Sequence, residues 1–429
     1  MAWHFPQSGT TSPTLVDDDD VFIAQQVFLN GVINSGVTDG HEVIVAGTVA
    51  SYGDAIVLGF YPGGGPNSVT VEATGQVRAF EGNSIRLFGD GQQIVNHGLI
   101  AQEASAIIEA VAVSFRSDGP LPATSSSFIN TGIVNADGIA VYHFASETLT
   151  VSNSGTIASA QNSFVSNGPS KDLITNTGKM IGDAFLGEGD DLYDGRLGTI
   201  DGNVLGEVGV DKLYAGGGNS RLFGGDGNDT LMGGTGADYL SGGSGLDRAS
   251  YASATKAVTV SLANPAINSG DATGDAFNSI ENLSGSNYND NVFGNAANNA
   301  INGGAGNDAI KGYTGNDTLT GHKGADIFIF NTALNAATNI DTITDLNRVD
   351  DTIHVDNALF IGLVIGALPD SAFKDIAISA KDASDRILYN SDTGNLYFDR
   401  DGSGGTYGAI KFASLAGSPT ITAADFVVI

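Results

Sequence analysis

The sequence predicts an all-β protein: an N-terminal parallel β-helix of about 23 residues per coil, continuing into a parallel β-roll with shorter coils and ending in a small β-rich cap. Three observations predict this class. A tripeptide Asn-x-Gly recurs in the first third of the chain, and a nine-residue glycine-rich unit recurs after residue 205. The chain also has 60 glycines in 429 residues, too many for ordinary helices. The expected domains are 1–184, 185–330 with an inserted segment 251–284, and 331–429.

The N-terminal repeat places Asn-x-Gly between alternating β-branched or apolar residues, as in FINTGIVNA. Its glycines include Gly98, Gly132, Gly155 and Gly178, with spacings of 34, 23 and 23 residues. One short strand per 23-residue unit is typical of a coil of a parallel solenoid. The asparagines of these tripeptides would then stack as an internal amide ladder of Asn96, Asn130, Asn153 and Asn176. The alternative is a set of antiparallel strands separated by Asn/Gly turns.

The second repeat follows the template G-G-x-G-x-D-x-U-x, where U is a large aliphatic residue. It runs from Gly206 to Ser250, stops, and resumes from Gly285 to Ile329, while LGEGDDLYD is an earlier copy out of register. The interruption reads as an inserted hairpin or loop. Each unit divides into a six-residue turn, which glycine permits, and a three-residue strand. Two units therefore make one coil, and residues 18 apart lie on the same edge.

Stacked aspartates follow from this geometry. In the first run, the two edges hold Asp211, Asp229 and Asp247, and Ser220 and Asp238. In the second run, they hold Asp290, Asp308 and Asp326, and Asn299 and Asp317. Carboxylates about 5 Å apart repel each other, and a cation between them removes the repulsion.

Calcium is the expected cation because it accepts six to eight oxygen ligands, including carbonyls. Zinc is not expected in a chain without cysteine. The pairs Ser220/Asp238 and Asn299/Asp317 should be weaker than the Asp/Asp pairs. The alternative is that these segments are solvated Gly/Asp loops. The predicted calcium ligands are Asp191, Asp211, Asp229, Asp238, Asp247, Asp290, Asp308, Asp317 and Asp326.

These repeats resemble the calcium β-rolls of the repeats-in-toxin (RTX) family over roughly Leu186 to Phe330. The tail, from GADIFIF to ADFVVI, resembles the C-terminal capping and type I secretion region of extracellular and surface-layer RTX proteins of alphaproteobacteria. The resemblance implies export by the type I secretion machinery of a Gram-negative bacterium, with an uncleaved C-terminal signal. It also implies folding outside the cell when calcium binds. The N-terminal segment MAWHFPQSGT, which lacks a basic start, agrees with this expectation.

The charge of the chain limits its partners. A formal net charge of −30 repels nucleic acid and anionic membranes, so neither is an expected partner. No apolar run approaches the roughly 18 residues of a membrane helix, so no membrane insertion is expected.

The N-terminal region carries no clear catalytic motif. His41-Glu42-Val43-Ile44-Val45 lacks the second histidine of a zinc protease, and G-x-S-x-G is not found. We therefore expect no enzyme, with a polysaccharide lyase or epimerase on the β-helix as the alternative. His97 is expected on the coil surface and His322 in an exposed turn.

The expected function is structural. A calcium-dependent surface protein would self-assemble as a surface layer, matrix or adhesin, with its β-helix contacting other copies or cell-surface polysaccharide. A third possibility is a soluble adhesin or ice-type binder that uses a column of Thr131, Ser154 and Thr177. Two acidic segments stay open: Asp399–Gly404 is one more calcium loop or an acidic turn, and Asp17–Asp20 is an interchain calcium site or a solvated turn.

Overall fold

The computed structural model describes residues 2–4, 6, 8, 19–35, 40–59, 66–103, 111–117 and 124–429. In these ranges all regular elements are β-strands, apart from four short 3₁₀ helices. The helices are Pro265–Ile267, Gly270–Ala272, Asp370–Ala372 and Ala423–Asp425. None of these described helices has the length and apolarity needed to cross a membrane. The chain forms two compact units, Met1–Gly233 with Asp238–Gly245 and Gly234–Ala237 with Leu246–Ile429.

The first unit is built from three parallel ladders of strands. Ladder one contains Ala2–His4, Asp19–Ile23, Glu42–Val45, Ser68–Val71, Gln93–Asn96, Ser126–Asn130, Leu149–Asn153, Leu173–Asn176, Leu192–Asp194, Lys212–Tyr214 and Thr230–Met232. Ladder two contains Phe28–Asn30, Thr48–Ser51, Gln76–Ala79, Leu99–Gln102, Ile133–Ala136, the first parts of Thr156–Ser166 and Lys179–Glu188, and Thr199–Asp201. Ladder three contains Ile33–Asn34, Ile56–Leu58, Ile85–Phe88, Val111–Arg116, Ile139–Phe144, the later parts of the same two long strands, Asn203–Val208, Arg221–Asp226 and Tyr239–Ser244.

In the core of the first unit, apolar side chains of successive coils stack on one another. Alternate residues of each strand point inward, and residues in register on successive strands fill the same position. In ladder one this gives a fully buried column of Ile94, Phe128, Val151, Ile174 and Tyr193. The period-2 pattern of the sequence therefore becomes a continuous apolar core.

The predicted amide ladder is confirmed. The Nδ2 atom of Asn96 donates to Oδ1 of Asn130 at 2.7 Å, and Asn130 and Asn153 donate onward in the same way at 2.7 and 2.8 Å. The column ends where Nδ2 of Asn176 donates to the buried hydroxyl of Tyr193 at 3.3 Å. These bonds join parallel strands that pair in register. The predicted parallel solenoid is therefore confirmed, and the antiparallel alternative is wrong. Each coil contains three strands, however, where one was expected per repeat.

The coils shorten along the first unit. Ladder two ends at Thr199–Asp201, and beyond it Lys212 pairs with Thr230 and Arg221 with Tyr239. Both pairs are 18 residues apart, because two nine-residue units leave room for two short strands and two turns only. The three-stranded β-helix thus becomes a two-stranded roll.

The second unit has two parallel ladders. One contains Arg248–Ser250, Asn282–Ser284, Ala300–Ala305, Thr318–Lys323, Asp341–Ile343 and Ile410–Leu415. The other contains Thr259–Ser261, Asn291–Phe293, Ala309–Lys311, Ile327–Phe330, Thr352–Val355 and Phe426–Val428. Parallel pairing therefore continues past residue 330, the expected start of the cap, and the proposed domain limits stay a prediction.

The C-terminal segment adds antiparallel strands to this roll. The hairpin expected around Ser391–Gly394 is confirmed, since Ile387–Asn390 pairs antiparallel with Asn395–Phe398. Ile410–Leu415 pairs antiparallel with the second strand of the hairpin, and Gly366–Ala367 with Phe426–Val428. The remaining strands are Phe373–Asp375, parallel to Ile387–Asn390, and Ala276–Asn278 in the inserted segment. The rings of Phe398 and Phe412 both lie 5.1 Å from that of Phe360, which forms the core of this region.

Candidate metal centre

Aspartates stack coil on coil along one edge of the first unit. Each lies directly before a ladder-one strand, and its backbone N–H donates to Oδ1 of the aspartate one coil later. The distances are 2.8 Å from Asp191 to Asp211 and 2.8 Å from Asp211 to Asp229. The column begins one coil earlier than predicted, because the N–H of Asp172 donates to Asp191 at 2.6 Å. The step of 19 residues between Asp172 and Asp191 differs from 18, so a nine-residue template misses Asp172.

The opposite edge of the first unit contains the Ser220/Asp238 pair. The N–H of Ser220 donates to Oδ1 of Asp238 at 2.7 Å across a separation of 18 residues. Asp229 lies in the first unit and Asp247 in the second, so their predicted pairing stays a prediction.

One edge of the second unit stacks Asp290, Asp308 and Asp326. The N–H of Asp290 donates to Asp308 at 2.8 Å, and that of Asp308 to Asp326 at 2.9 Å. Asp351, which sequence reasoning missed, continues the column by accepting from the N–H of Asp326 at 2.9 Å. The carboxylate of Asp290 differs from the others because it also accepts from the hydroxyl of Ser286, at 2.9 and 2.8 Å.

The other edge of the second unit includes a glutamate. The N–H of Asp247 donates to Oε2 of Glu281 at 2.9 Å, so Glu281 takes the position of the next aspartate after the interruption. Asn299 then donates its N–H to Asp317 at 2.7 Å, and Asp317 donates to Asp341 at 3.2 Å. Glu281 and Asp341 were both missed, since the intervening insertions break the 18-residue step.

The stacked carboxylates are withdrawn from water. All nine predicted ligands are at most 2% exposed. Among the described residues, the Oδ2 atoms of five of them have no hydrogen-bond partner: Asp191, Asp211, Asp308, Asp317 and Asp326. Burial raises the pKa of Asp191 to about 8, of Asp211 and Asp308 to about 7, and of Asp317 and Asp326 to about 6. A buried carboxylate without a partner is costly, so these atoms point to a missing ligand.

The first glycine of each nine-residue repeat makes room for the second carboxylate oxygen, Oδ2, of the aspartate in that repeat. A Cβ atom built on Gly206 would lie 2.2 Å from Oδ2 of Asp211 and 2.6 Å from the carbonyl oxygen of Gly224. In the second unit, a Cβ on Gly312 would lie 2.0 Å from Oδ2 of Asp317. Carboxylate and carbonyl oxygens therefore converge inside the turn, and only glycine leaves that space open.

The donor set fits calcium. Within the described ranges, no three His, Cys, Asp or Glu side chains gather into a cluster that could hold a metal ion. A cation in these turns must therefore take carbonyl oxygens together with a few carboxylates, which is the mixed oxygen coordination that calcium accepts. The assignment of individual aspartates as its ligands remains a prediction.

The other candidate positions have protein partners. Oδ2 of Asp399 bonds to Nζ of Lys381, and Oδ2 of Asp401 accepts the N–H of Thr406 at 2.9 Å, while the buried Oδ1 of Asp401 has no hydrogen-bond partner in the described structure. The choice between a calcium loop and an acidic turn at 399–404 stays a prediction. Asp17 and Asp18 lie outside the described residues, while Oδ1 of Asp20 accepts a hydrogen bond from the N–H of Glu42 at 2.8 Å.

The two surface histidines lie where they were expected. His97 is exposed, with Nδ1 at 2.7 Å from the hydroxyl of Thr131. His322 is exposed in a turn with φ of 69°.

Comparison with known proteins identifies the repeats. A family model described as the RTX calcium-binding nonapeptide repeat matches in four copies, at residues 205–240, 214–249, 275–310 and 303–331. A search of curated proteins finds no match. The matched segments include eight of the nine predicted ligands, all except Asp191, and repeats of this family bind calcium ions. The chain therefore contains RTX calcium-binding nonapeptide repeats.

Proposed function

We propose that this protein is a secreted structural protein that folds outside the cell when calcium binds. It then assembles with its own copies as a surface layer, cell-surface matrix or adhesin. The observation that carries the proposal is the stacking of buried carboxylates, as in Asp191 on Asp211 and Asp290 on Asp308. Such a fold is unfavourable without cations, so it depends on the calcium around it.

The difference in calcium concentration between the inside and the outside of the cell would decide where the chain folds. Where calcium is scarce, repulsion within a chain of net charge −30 keeps it extended and exportable. Extracellular calcium modules bind with dissociation constants of about 10⁻⁴ to 10⁻³ M, and metal binding then contributes to folding free energy. RTX-repeat proteins are typically secreted by Gram-negative bacteria, which supports a type I secretion machinery as partner and a cell-surface location.

The β-helix offers regular faces for assembly. One outward column of ladder one places Thr70, Val95, Ile129, Ser152 and Thr175 in register, one residue per coil. Ile129 is 43% exposed. A face that repeats at each coil suits a partner that also repeats, either another copy or a cell-surface polysaccharide.

The placement of histidines favours this function over a polysaccharide lyase or epimerase. His41 and His143 are buried, at 1% and 0% exposure, and exposed His97 contacts only a threonine hydroxyl in the described structure. The ice-type binder is also less favoured, because the hydroxyls of Thr131 and Thr177 donate to carbonyl oxygens of the preceding coil at 3.4 and 3.3 Å.

Electron microscopy of the purified chain tests the proposal. We expect an unfolded monomer without calcium and ordered sheets, filaments or matrix at about millimolar calcium. A folded monomer at all protein concentrations in calcium, with turnover of an acidic polysaccharide, would establish the enzymatic alternative instead. A folded monomer without turnover would overturn self-assembly.

A further inference from the structure

A second group of buried acidic side chains lies in the β-helix, outside the matched repeats. It consists of Asp90, Ser117, Ser126 and Glu147, which we call the β-helix acidic cluster. Glu147 lies just before the ladder-one strand Leu149–Asn153, and Ser126 begins the preceding strand of that ladder.

Glu147 has one satisfied oxygen and one that is not. It is 3% exposed, and its Oε1 accepts a hydrogen bond from the hydroxyl of Ser126 at 2.8 Å. Ser126 in turn accepts from the backbone N–H of Gln92 at 3.0 Å, so its proton is committed to Glu147. In the described part of the chain, Oε2 of Glu147 has no hydrogen-bond partner.

The carboxyl group of Asp90 lies close to that of Glu147. Its Oδ1 also accepts the hydroxyl proton of Ser117, which is 4% exposed. Each of the two carboxyl groups thus bonds to a serine hydroxyl, and Glu147, Ser117 and Ser126 are buried while Asp90 is half-buried. Burial, the largest cause, raises the pKa of Glu147 to about 7, with the nearby Asp90 adding to the shift.

Among the described residues, no cationic side chain is paired with this cluster. No described lysine or arginine forms a salt bridge with Asp90 or Glu147. The imidazole of His143 is also nearby, but its Nδ1 lies 3.0 Å from Oδ1 of Asp172, so it contacts another carboxylate.

We propose that the β-helix acidic cluster is a separate calcium site, with the carboxylates of Asp90 and Glu147 and the hydroxyl oxygens of Ser117 and Ser126 as ligands. The cation would supply the partner that Oε2 of Glu147 lacks in the described structure. All donors are hard oxygens, which excludes zinc as the preferred ion, and their irregular arrangement suits calcium better than octahedral magnesium.

Such an ion would cross-link successive coils. Ser117 follows Asp90 by 27 residues and Glu147 follows Ser126 by 21, so the four ligands come from neighbouring turns of the solenoid. The β-helix would then respond to calcium through its own ligands and not only through the nine-residue repeats.

Hydrogen exchange of the full-length chain, followed by mass spectrometry, tests this site. We expect peptides covering 85–96 and 139–153 to exchange about tenfold more slowly when calcium is at ten times the dissociation constant of the site. Glu147→Gln keeps an oxygen for Ser126 but removes the charge, and it should abolish that slowing; Asp90→Asn should do the same. Glu103→Gln is the matched control, because Glu103 pairs with Arg78 elsewhere on the β-helix.

Peptides from the repeats, such as 206–232, report the proposed function separately in the same spectra. If they respond to calcium while 85–96 and 139–153 do not, or if Glu147→Gln responds like the wild type, the β-helix site is wrong and the repeat sites stand. Should both variants fail to fold, wild-type crystals grown in calcium decide the question. An anomalous calcium peak about 2.4 Å from Oε2 of Glu147 supports the site, and its absence overturns it.

Discussion

The backbone N–H of Asp211 donates to Oδ1 of Asp229 at 2.8 Å, while Oδ2 of Asp211 is buried with no hydrogen-bond partner in the described structure. The two oxygens of these carboxylates thus have separate tasks. One fixes the stacking of neighbouring coils, and the other faces the space inside the turn where glycine carbonyls also point. A substitution that removes only the charge tests the second task.

Asp308→Asn should weaken calcium binding at two neighbouring turns. Asp308 accepts from the N–H of Asp290 and donates its own N–H to Asp326, so its carboxylate lies between two others. Asparagine keeps one oxygen for the stacking bond but loses the charge, and the hydrogen bonds and contacts of a charged group are worth about 1.5–3 kcal/mol. We expect the calcium midpoint of folding, followed by circular dichroism, to rise severalfold. Asp271→Asn, in a 3₁₀ helix of the inserted segment, is the control that should leave the midpoint unchanged.

Gly312→Ala should block calcium binding at its turn. The added Cβ would lie 2.0 Å from Oδ2 of Asp317, so the carboxylate has to leave the position in which it faces the cation. Isothermal titration should show fewer calcium ions bound per chain. The matched control is Gly405→Ala, where a Cβ meets nothing within 4 Å. Equal stoichiometry for the two variants would show that the turn is not a metal site.

The calcium-free roll should become more stable as the pH falls. Burial raises the pKa of Asp211 to about 7 and of Asp191 to about 8. An unfolded aspartate has a pKa of about 3.9, so the folded state binds more protons than the unfolded state between about pH 4 and 8. The stability from these groups is fully present below about pH 4 and is lost as the pH rises through 7 to 8.

The direction of this pH dependence can be measured directly. Calcium-depleted protein moved from about pH 8 to about pH 5 should gain β-structure by circular dichroism, the reverse of ordinary acid denaturation. Asp211→Asn removes one of the responsible groups and should reduce the gain. A loss of structure on acidification in both proteins would contradict the assignment.

Asn130→Ala should destabilise the β-helix strongly. Asn130 accepts from Asn96 at 2.7 Å and donates to both Asn153 and the carbonyl of Thr156, so its removal leaves buried polar groups on both sides without partners. Each such group costs about 1–3 kcal/mol. In calcium, the thermal midpoint should therefore fall by many degrees. Ser154→Ala, at an exposed position of the neighbouring turn, should change stability by no more than about 0.5 kcal/mol.

The sequence predicts the parts of this fold that repeat without interruption. From Gly132 to Gly178, Asn-x-Gly recurs every 23 residues, and that interval places Asn130 over Asn153. The nine-residue template likewise places Asp290, Asp308 and Asp326 on one edge. In both cases, a constant spacing fixes the position of a residue in its coil.

Sequence reasoning fails where the step length changes. Glu281 stands in the column of Asp247 after a separation of 34 residues, and Asp341 follows Asp317 after 24. The backbone holds these positions because strands on either side of each insertion pair in register, which no short motif records. The β-helix acidic cluster is hidden for another reason: its ligands differ in residue type from coil to coil.

The antiparallel strands of the C-terminal segment affect whether further strands can be added to the end of the roll. Ile410–Leu415 and Phe426–Val428 lie on the last parallel strands of the roll, and antiparallel strands then cover them. An uncovered parallel edge is a template on which another chain can add strands. Here that template is capped, so a polymer built from this protein cannot lengthen by adding coils at this end. In the proposed assembly, lateral contacts between copies would therefore set the order.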